Sequence, residues 1–191
     1  MKTMISTNII RQFTSDAELL NILKDDNEIL PIKEWVEKYI NKISLNEILW
    51  ILLRDNFLSE KDLRIFGIWC AREALKLIES PDIRSVIACD VSEQYANGNV
   101  TSEELENAYN EASFVYDDIT YTVSDIANYV SDYASFYASL YAAQAAYAIA
   151  YINSSSAAYG AASAAASAAH YSKNEYNVFL NKELNELLTY F

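Results

Sequence analysis

Glycine occurs only 3 times and proline 2 times in 191 residues. Sandwiches, barrels and propellers need many turns, so this scarcity argues against them and against a flexible linker. There are 2 cysteines and 1 histidine. Two cysteines cannot build a disulfide framework, and one histidine excludes a histidine-rich metal site. Positive charge is also scarce: 14 Lys+Arg against 27 Asp+Glu leave a net charge of −13. A protein that grips phosphates needs a basic footprint, so direct nucleic-acid binding is not expected. The opening Met1-Lys2-Thr3-Met4-Ile5 carries no apolar run of signal-peptide length. Neither end shows a lipidation motif, and the expected location is cytoplasmic.

Hydrophobic residues, by contrast, make up 52% of the chain, far more than a disordered acidic tail carries. Their spacing, together with legible helix punctuation, predicts an all-α protein: a multi-helix bundle with a long Ala/Tyr-rich helix in its C-terminal half. Ser44 precedes Glu47 by three residues, as Ser59 precedes Asp62, Thr101 precedes Glu104 and Ser172 precedes Glu175. Each pair reads as a capping box or a close variant, which satisfies two orphan N–H groups reciprocally. Ser80-Pro81 reads as an N-cap followed by proline in the first helical position, and Asn97-Gly98 as a helix stop. The predicted helices run near 15–25, 32–42, 45–54, 60–79, 81–97, 102–113, 115–152, 156–170 and 173–188. No segment shows the two-residue alternation of a half-buried strand.

Composition changes near residue 100. Residues 1–100 hold 12 basic and 16 acidic groups, whereas residues 101–191 hold 2 basic and 11 acidic groups. We read 1–100 and 101–191 as two helical subregions packed together as one domain, the second acidic and Ala/Tyr-rich. From Ala112 to Ser172 there is no lysine or arginine. Within that stretch a heptad fits Tyr116, Val123, Val130, Tyr137, Gln144 and Tyr151, interleaved with Ile119, Ile126, Tyr133, Leu140 and Tyr147. This is the seam of a packed helix pair. Asp117, Asp118, Asp125 and Asp132 lie opposite the seam.

Tyr129, Tyr133, Tyr137 and Tyr141 recur every fourth residue and, with the aspartates, form the candidate partner-binding surface. Tyrosine supplies contact area at low entropic cost plus a hydroxyl. The competing readings are close helix packing, in which alanine admits the tyrosines to the core, and a solvated aspartate face. A membrane span is disfavoured, because alanine and tyrosine replace Leu, Ile, Val and Phe and the flanks lack an orienting Lys/Arg bias. The same tyrosine and alanine seam permits a homodimer.

On a helix, Leu63, Phe66, Cys70, Ala74 and Leu77 make one apolar stripe joined by Trp69, with Arg64 and Arg72 flanking it. These arginines are expected to pair with Glu60, Asp62, Glu73 or acids of the next helix, or else to recognise an acidic partner group. Cys70 and Cys89 are expected to be buried reduced thiols facing each other across antiparallel helices.

The block 63–112 contains Leu-Arg-Ile-Phe-Gly-Ile-Trp-Cys-Ala-Arg from Leu63, then Tyr95-Ala96-Asn97-Gly98, then the acidic start Thr101-Ser102-Glu103-Glu104-Leu105. It resembles a bacterial and phage family of immunity proteins of polymorphic toxin systems. Further similar elements are Trp35, the run Trp50 to Arg54, the alanine-rich stretch 113–170 and Leu184 to Leu188. The family's alanine stretch commonly carries tryptophan and arginine, where this chain has tyrosine and no arginine. The resemblance makes Leu63, Arg64, Trp69, Arg72, Tyr95 and Gly98 the motif residues. It also implies a non-enzymatic inhibitor of a toxin effector.

No enzyme chemistry is expected. His170 is the sole histidine, and the glycines are isolated, which leaves no phosphate-cradling loop. Neighbouring carboxylates such as Asp117 and Asp118 point apart by about 100° on a helix. No cofactor and no metal are implied. The charge fits a basic protein target such as a toxin or nuclease. A second reading is a phage-encoded inhibitor of a host defence system, occupying a basic nucleic-acid groove as an anti-CRISPR protein would. A third is a structural or membrane-associated helical protein.

Overall fold

The computed structural model describes residues 3–24, 28–126, 144–145, 148, 154–173 and 175–191. Among the described residues the fold is an all-α multi-helix bundle; its extended chain is one pair of two-residue strands. In order the elements are β1 (Met4–Ile5), α1 (Thr7–Ile10), α2 (Ala17–Ile22), β2 (Leu30–Pro31), α3 (Ile32–Tyr39), α4 (Leu45–Leu52), α5 (Glu60–Leu75) and α6 (Ile83–Ala96). They continue as α7 (Ser102–Ile126), α8 (Ser154–Lys173), α9 (Tyr176–Leu187) and a closing 3₁₀ turn, Leu188–Tyr190. The expected Ala/Tyr helix 115–152 lies within the described residues only up to Ile126, apart from three isolated positions.

α5 is the central helix. Leu63, Phe66, Gly67, Ile68, Cys70, Ala71, Ala74 and Leu75 are all buried, so the helix is covered on more than one side, unlike a surface helix with one apolar stripe. Of the expected stripe, Leu63, Phe66, Cys70 and Ala74 form one side of it, each at 0% exposure, while Leu77 lies past the end of the helix and is half-buried. α5 packs most extensively on α8, then on α6, and also touches α9. The buried residues of α8 are all alanines, among them Ala158, Ala161, Ala165 and Ala168. With only a methyl group at each position, two backbones can approach closely over their whole length. One core cluster holds side chains from both halves of the chain.

The amino-terminal elements cap this core. β1 and β2 pair antiparallel, with Met4 opposite Pro31 and Ile5 opposite Leu30. Behind them α3 buries Trp35, Val36 and Tyr39, with the Trp35 and Tyr39 rings 5.0 Å apart. Each large apolar side chain so buried contributes about 1.5–3 kcal/mol.

Several caps form as the sequence dictates. Ser44 and Glu47 make a full capping box, the Glu47 N–H donating to Ser44 Oγ at 3.2 Å and the Ser44 N–H to Glu47 Oε2 at 3.0 Å. Thr101 and Glu104 repeat the arrangement, and Ser59 accepts from the Asp62 N–H. Gly98, just past α6, takes the expected left-handed conformation at φ 75°.

Three expectations are corrected. Ser80 does not cap α6: Asp82 does, accepting from the Arg84 N–H at 2.8 Å, because its carboxylate also captures the Arg84 guanidinium. Ser172 caps nothing. It lies inside α8 and donates its hydroxyl back to Ala169 O, and Glu175 precedes α9 without a side-chain cap. The boundary placed between 113 and 115 is absent, since Ser113 satisfies its hydroxyl on Asn110 O at 2.8 Å and the helix continues to Ile126.

Candidate functional site

α6 and α7 are joined by five residues and pack together as a helical hairpin. α7 buries Leu105, Ala108, Ala112 and Val115. Opposite them Glu103, Glu106, Glu111, Phe114, Asp117 and Asp118 are exposed. Spacings of three, four and seven place all six on one face, about half the circumference of a helix turning 100° per residue. α7 carries seven acidic residues and no lysine or arginine. Phe114, 54% exposed, sits in the middle of this acidic face. On α6, Ile83 and Ile87 are also exposed, at 66% and 47%.

Some of these acids already have duties. Glu104 accepts from the Thr101 N–H and hydroxyl, which holds its carboxyl below the usual carboxylate range. Asp118 accepts from Arg84 at 3.3 Å, while Arg84 is held more closely by Asp82 at 2.9 Å. These hydrogen bonds, that to Asp82 foremost, push the Arg84 pKa upward.

The aspartate row is thus partly placed. Asp117 and Asp118 are exposed as expected, and Asp118 is tied to its own protein as well as facing solvent. Asp125 falls in α7, seven residues beyond Asp118, but its side chain lies outside the described residues. Asp132, Tyr129, Tyr133, Tyr137 and Tyr141 also lie outside them. Sequence reasoning missed Phe114, Ile83, Ile87 and the glutamates of α7. The signal was available, since Glu103, Glu106, Phe114 and Asp117 follow helical spacing, but it was obscured by ending a helix at 113.

The motif residues divide into three groups. Arg64, Tyr95 and Gly98 come together around a cavity of about 520 Å³, which Ser59, Glu60 and Lys61 also line. The Arg64 guanidinium sits 5.0 Å from the Tyr95 ring centroid and 3.7 Å from Glu60. Arg64 pairs with Glu60, one of the acids expected for it, and is buried at 1% exposure. The cause is its place where α5 meets the end of α6, with desolvation drawing its pKa down against the pull of Glu60. Arg72 instead ties α5 to α6, reaching Asp90 at 2.9 Å and Glu93 at 2.7 Å. Leu63 is core, while Trp69 is half-buried, stacked on Phe66 at 6.2 Å with Lys182 5.6 Å above its ring.

Burial pushes the Cys70 thiol far up, aided by Glu183, and the Cys89 thiol up to about 12. Both therefore stay protonated, without the thiolate that nucleophilic or metal chemistry requires. His170 lines a second cavity with Glu175, Tyr176, Asn177 and Val178, its ring 6.3 Å from that of Tyr176. Among the described residues no group of His, Cys, Asp and Glu could hold a metal ion, and no helix is long and apolar enough to cross a membrane.

These features define an all-α protein with a one-sided acidic helix. Comparisons with family models, curated proteins and solved structures find no match for the chain.

Proposed function

We propose that this protein is a non-enzymatic inhibitor that binds a basic effector protein, a toxin or a nuclease, and blocks it sterically. The observation that carries this reading is the exposed face of α7, where Glu111 and Asp117 flank Phe114 one turn to either side and Glu103 and Glu106 extend the acidic face toward the start of the helix. An apolar side chain in the middle of a charged surface costs solubility and gains nothing inside an isolated molecule. It suits an interface in which a central aromatic anchor is desolvated and a polar rim excludes water. The acidic rim draws a basic partner by long-range attraction, which raises the encounter rate and weakens with salt. The resemblance of 63–112 to immunity proteins points in the same direction, and it names a toxin effector as the target.

The binding step needs no chemistry from the inhibitor. α7 would lie across the basic surface that the effector uses for its own substrate, with Phe114 in an apolar recess and the glutamates against lysines and arginines. Affinity capture from the native host with the whole chain as bait, at low and at high salt, tests the reading. The expected result is a single basic protein retained at low salt and released at high salt. Recovery of only the bait, or of membrane components, would overturn it.

A further inference from the structure

Glu183 lies in α9, which docks on α4, α5 and α8. Its side chain is 0% exposed, and among the described residues its carboxyl oxygens find no partner beyond the weak thiol donor of Cys70. Buried polar groups are normally well satisfied, and a carboxyl left with one weak donor is expensive to bury. Its neighbour across the interface is the thiol of Cys70 on α5, itself 0% exposed. Nothing in the amphipathic pattern of α9 demands a glutamate here; a leucine would fill the same space without the penalty.

The surrounding ionisable groups do not neutralise it. From α5 the facing group is Cys70; Glu186 of α9 and Tyr190 of the closing turn stand near that thiol, with Asp62 of α5 beside Tyr190. All are acids. The charged lysine of this interface, Lys182, is held by Glu73 at 2.5 Å. From α8, His170 and Tyr159 gather about Tyr176, two turns away along α9, and from α4 Glu47 lies near Tyr159 and closes its own capping box. The site is thus a closed, acid-only cluster at a helix–helix interface.

We propose that Glu183 is a pH-sensitive latch: α9 stays docked on α5 while this carboxyl is neutral, and undocks, uncovering Cys70, as it becomes charged. Burial raises the carboxyl well above its ordinary value of 4.5. An acid whose pKa is higher in the packed state stabilises that state below its ordinary pKa. The stabilisation is lost as pH rises toward the packed-state value. Across that window the docking equilibrium falls about tenfold per pH unit.

Hydrogen–deuterium exchange of the full chain between about pH 5 and about pH 8 tests this, with rates corrected for intrinsic exchange and α6 as the internal reference. In the wild type, the protection of α9 relative to α6 should fall at least about tenfold over the range. In Glu183→Gln and in Glu183→Leu the ratio should stay flat. The leucine variant fills the same volume with no polar group, so it carries the comparison if the glutamine variant folds poorly. A wild-type ratio that does not change with pH, or a leucine variant with the same pH profile as the wild type, would overturn the proposal.

Discussion

The Arg84 guanidinium at the start of α6 reaches across to Asp118 of α7 at 3.3 Å, and this contact sets the level of the two helices of the hairpin. Since α7 runs back along α6 after a five-residue connection, Ile87 on α6 and Phe114 on α7 each lie one turn further along from the bridge. The exposed apolar groups therefore lie near the Asp117–Asp118 end of the acidic face, which runs on along α7 to Glu103. Replacing Arg84 with Met is expected to cost less than about 1 kcal/mol, because the pair is exposed and screened. The same change removes a positive charge from beside the acidic face, so association with a basic partner should become faster at low salt. Urea denaturation and stopped-flow association measure the two effects separately.

Gly98 and Gly160 should respond to alanine with opposite signs. At Gly98 a Cβ would meet nothing within 4 Å, yet φ is +75°. Gly98→Ala should cost about 1–2 kcal/mol through backbone strain alone. Gly160 lies inside α8, and a Cβ there would meet only the Ala148 Cβ at 3.4 Å, an ordinary van der Waals contact. Gly160→Ala should gain about 0.5–1 kcal/mol from helix propensity. Thermal melts of the two variants suffice.

The tryptophans separate core from surface. Trp35 is 1% exposed, so Trp35→Ala should cost about 3–5 kcal/mol. Trp69 is half-buried between Phe66 and Lys182, and its loss should cost about half as much. Equal losses for the two variants in chemical denaturation would contradict this placement.

The helical character and several boundaries were legible because their signals are local. Ser44 with Glu47 and Thr101 with Glu104 carry the cap chemistry within four residues, and Gly98 carries its own conformation. The failures came where a longer-range partner decided. The exception is local: Asp82 takes the cap of α6 in place of Ser80, with Arg84, two residues on, holding its carboxylate. The pairing of Met4–Ile5 with Leu30–Pro31 joins segments too short to show alternation. The burial of Arg64 depends on α6 closing over it, and that of Glu183 on α9 docking the face it shares with Phe179, Leu180, Leu184 and Leu187. Of the candidate binding face, the aspartates at 117 and 118 were legible. Phe114 was not, because ending a helix at 113 separates it from the glutamates whose face it shares.

The central claim is that the α7 face binds a basic protein, and a paired affinity capture from the native host tests it most directly. One bait is the wild-type chain, and the other carries Glu106→Lys, Glu111→Lys and Phe114→Ala, all at exposed positions that leave the core intact. The account predicts that at low salt the wild type retains one basic protein, which the triple variant loses while keeping a wild-type melting curve. Removal of the aromatic anchor alone should account for about 2 kcal/mol of that loss. Retention of the same partner by both baits, with equal affinity, would contradict it.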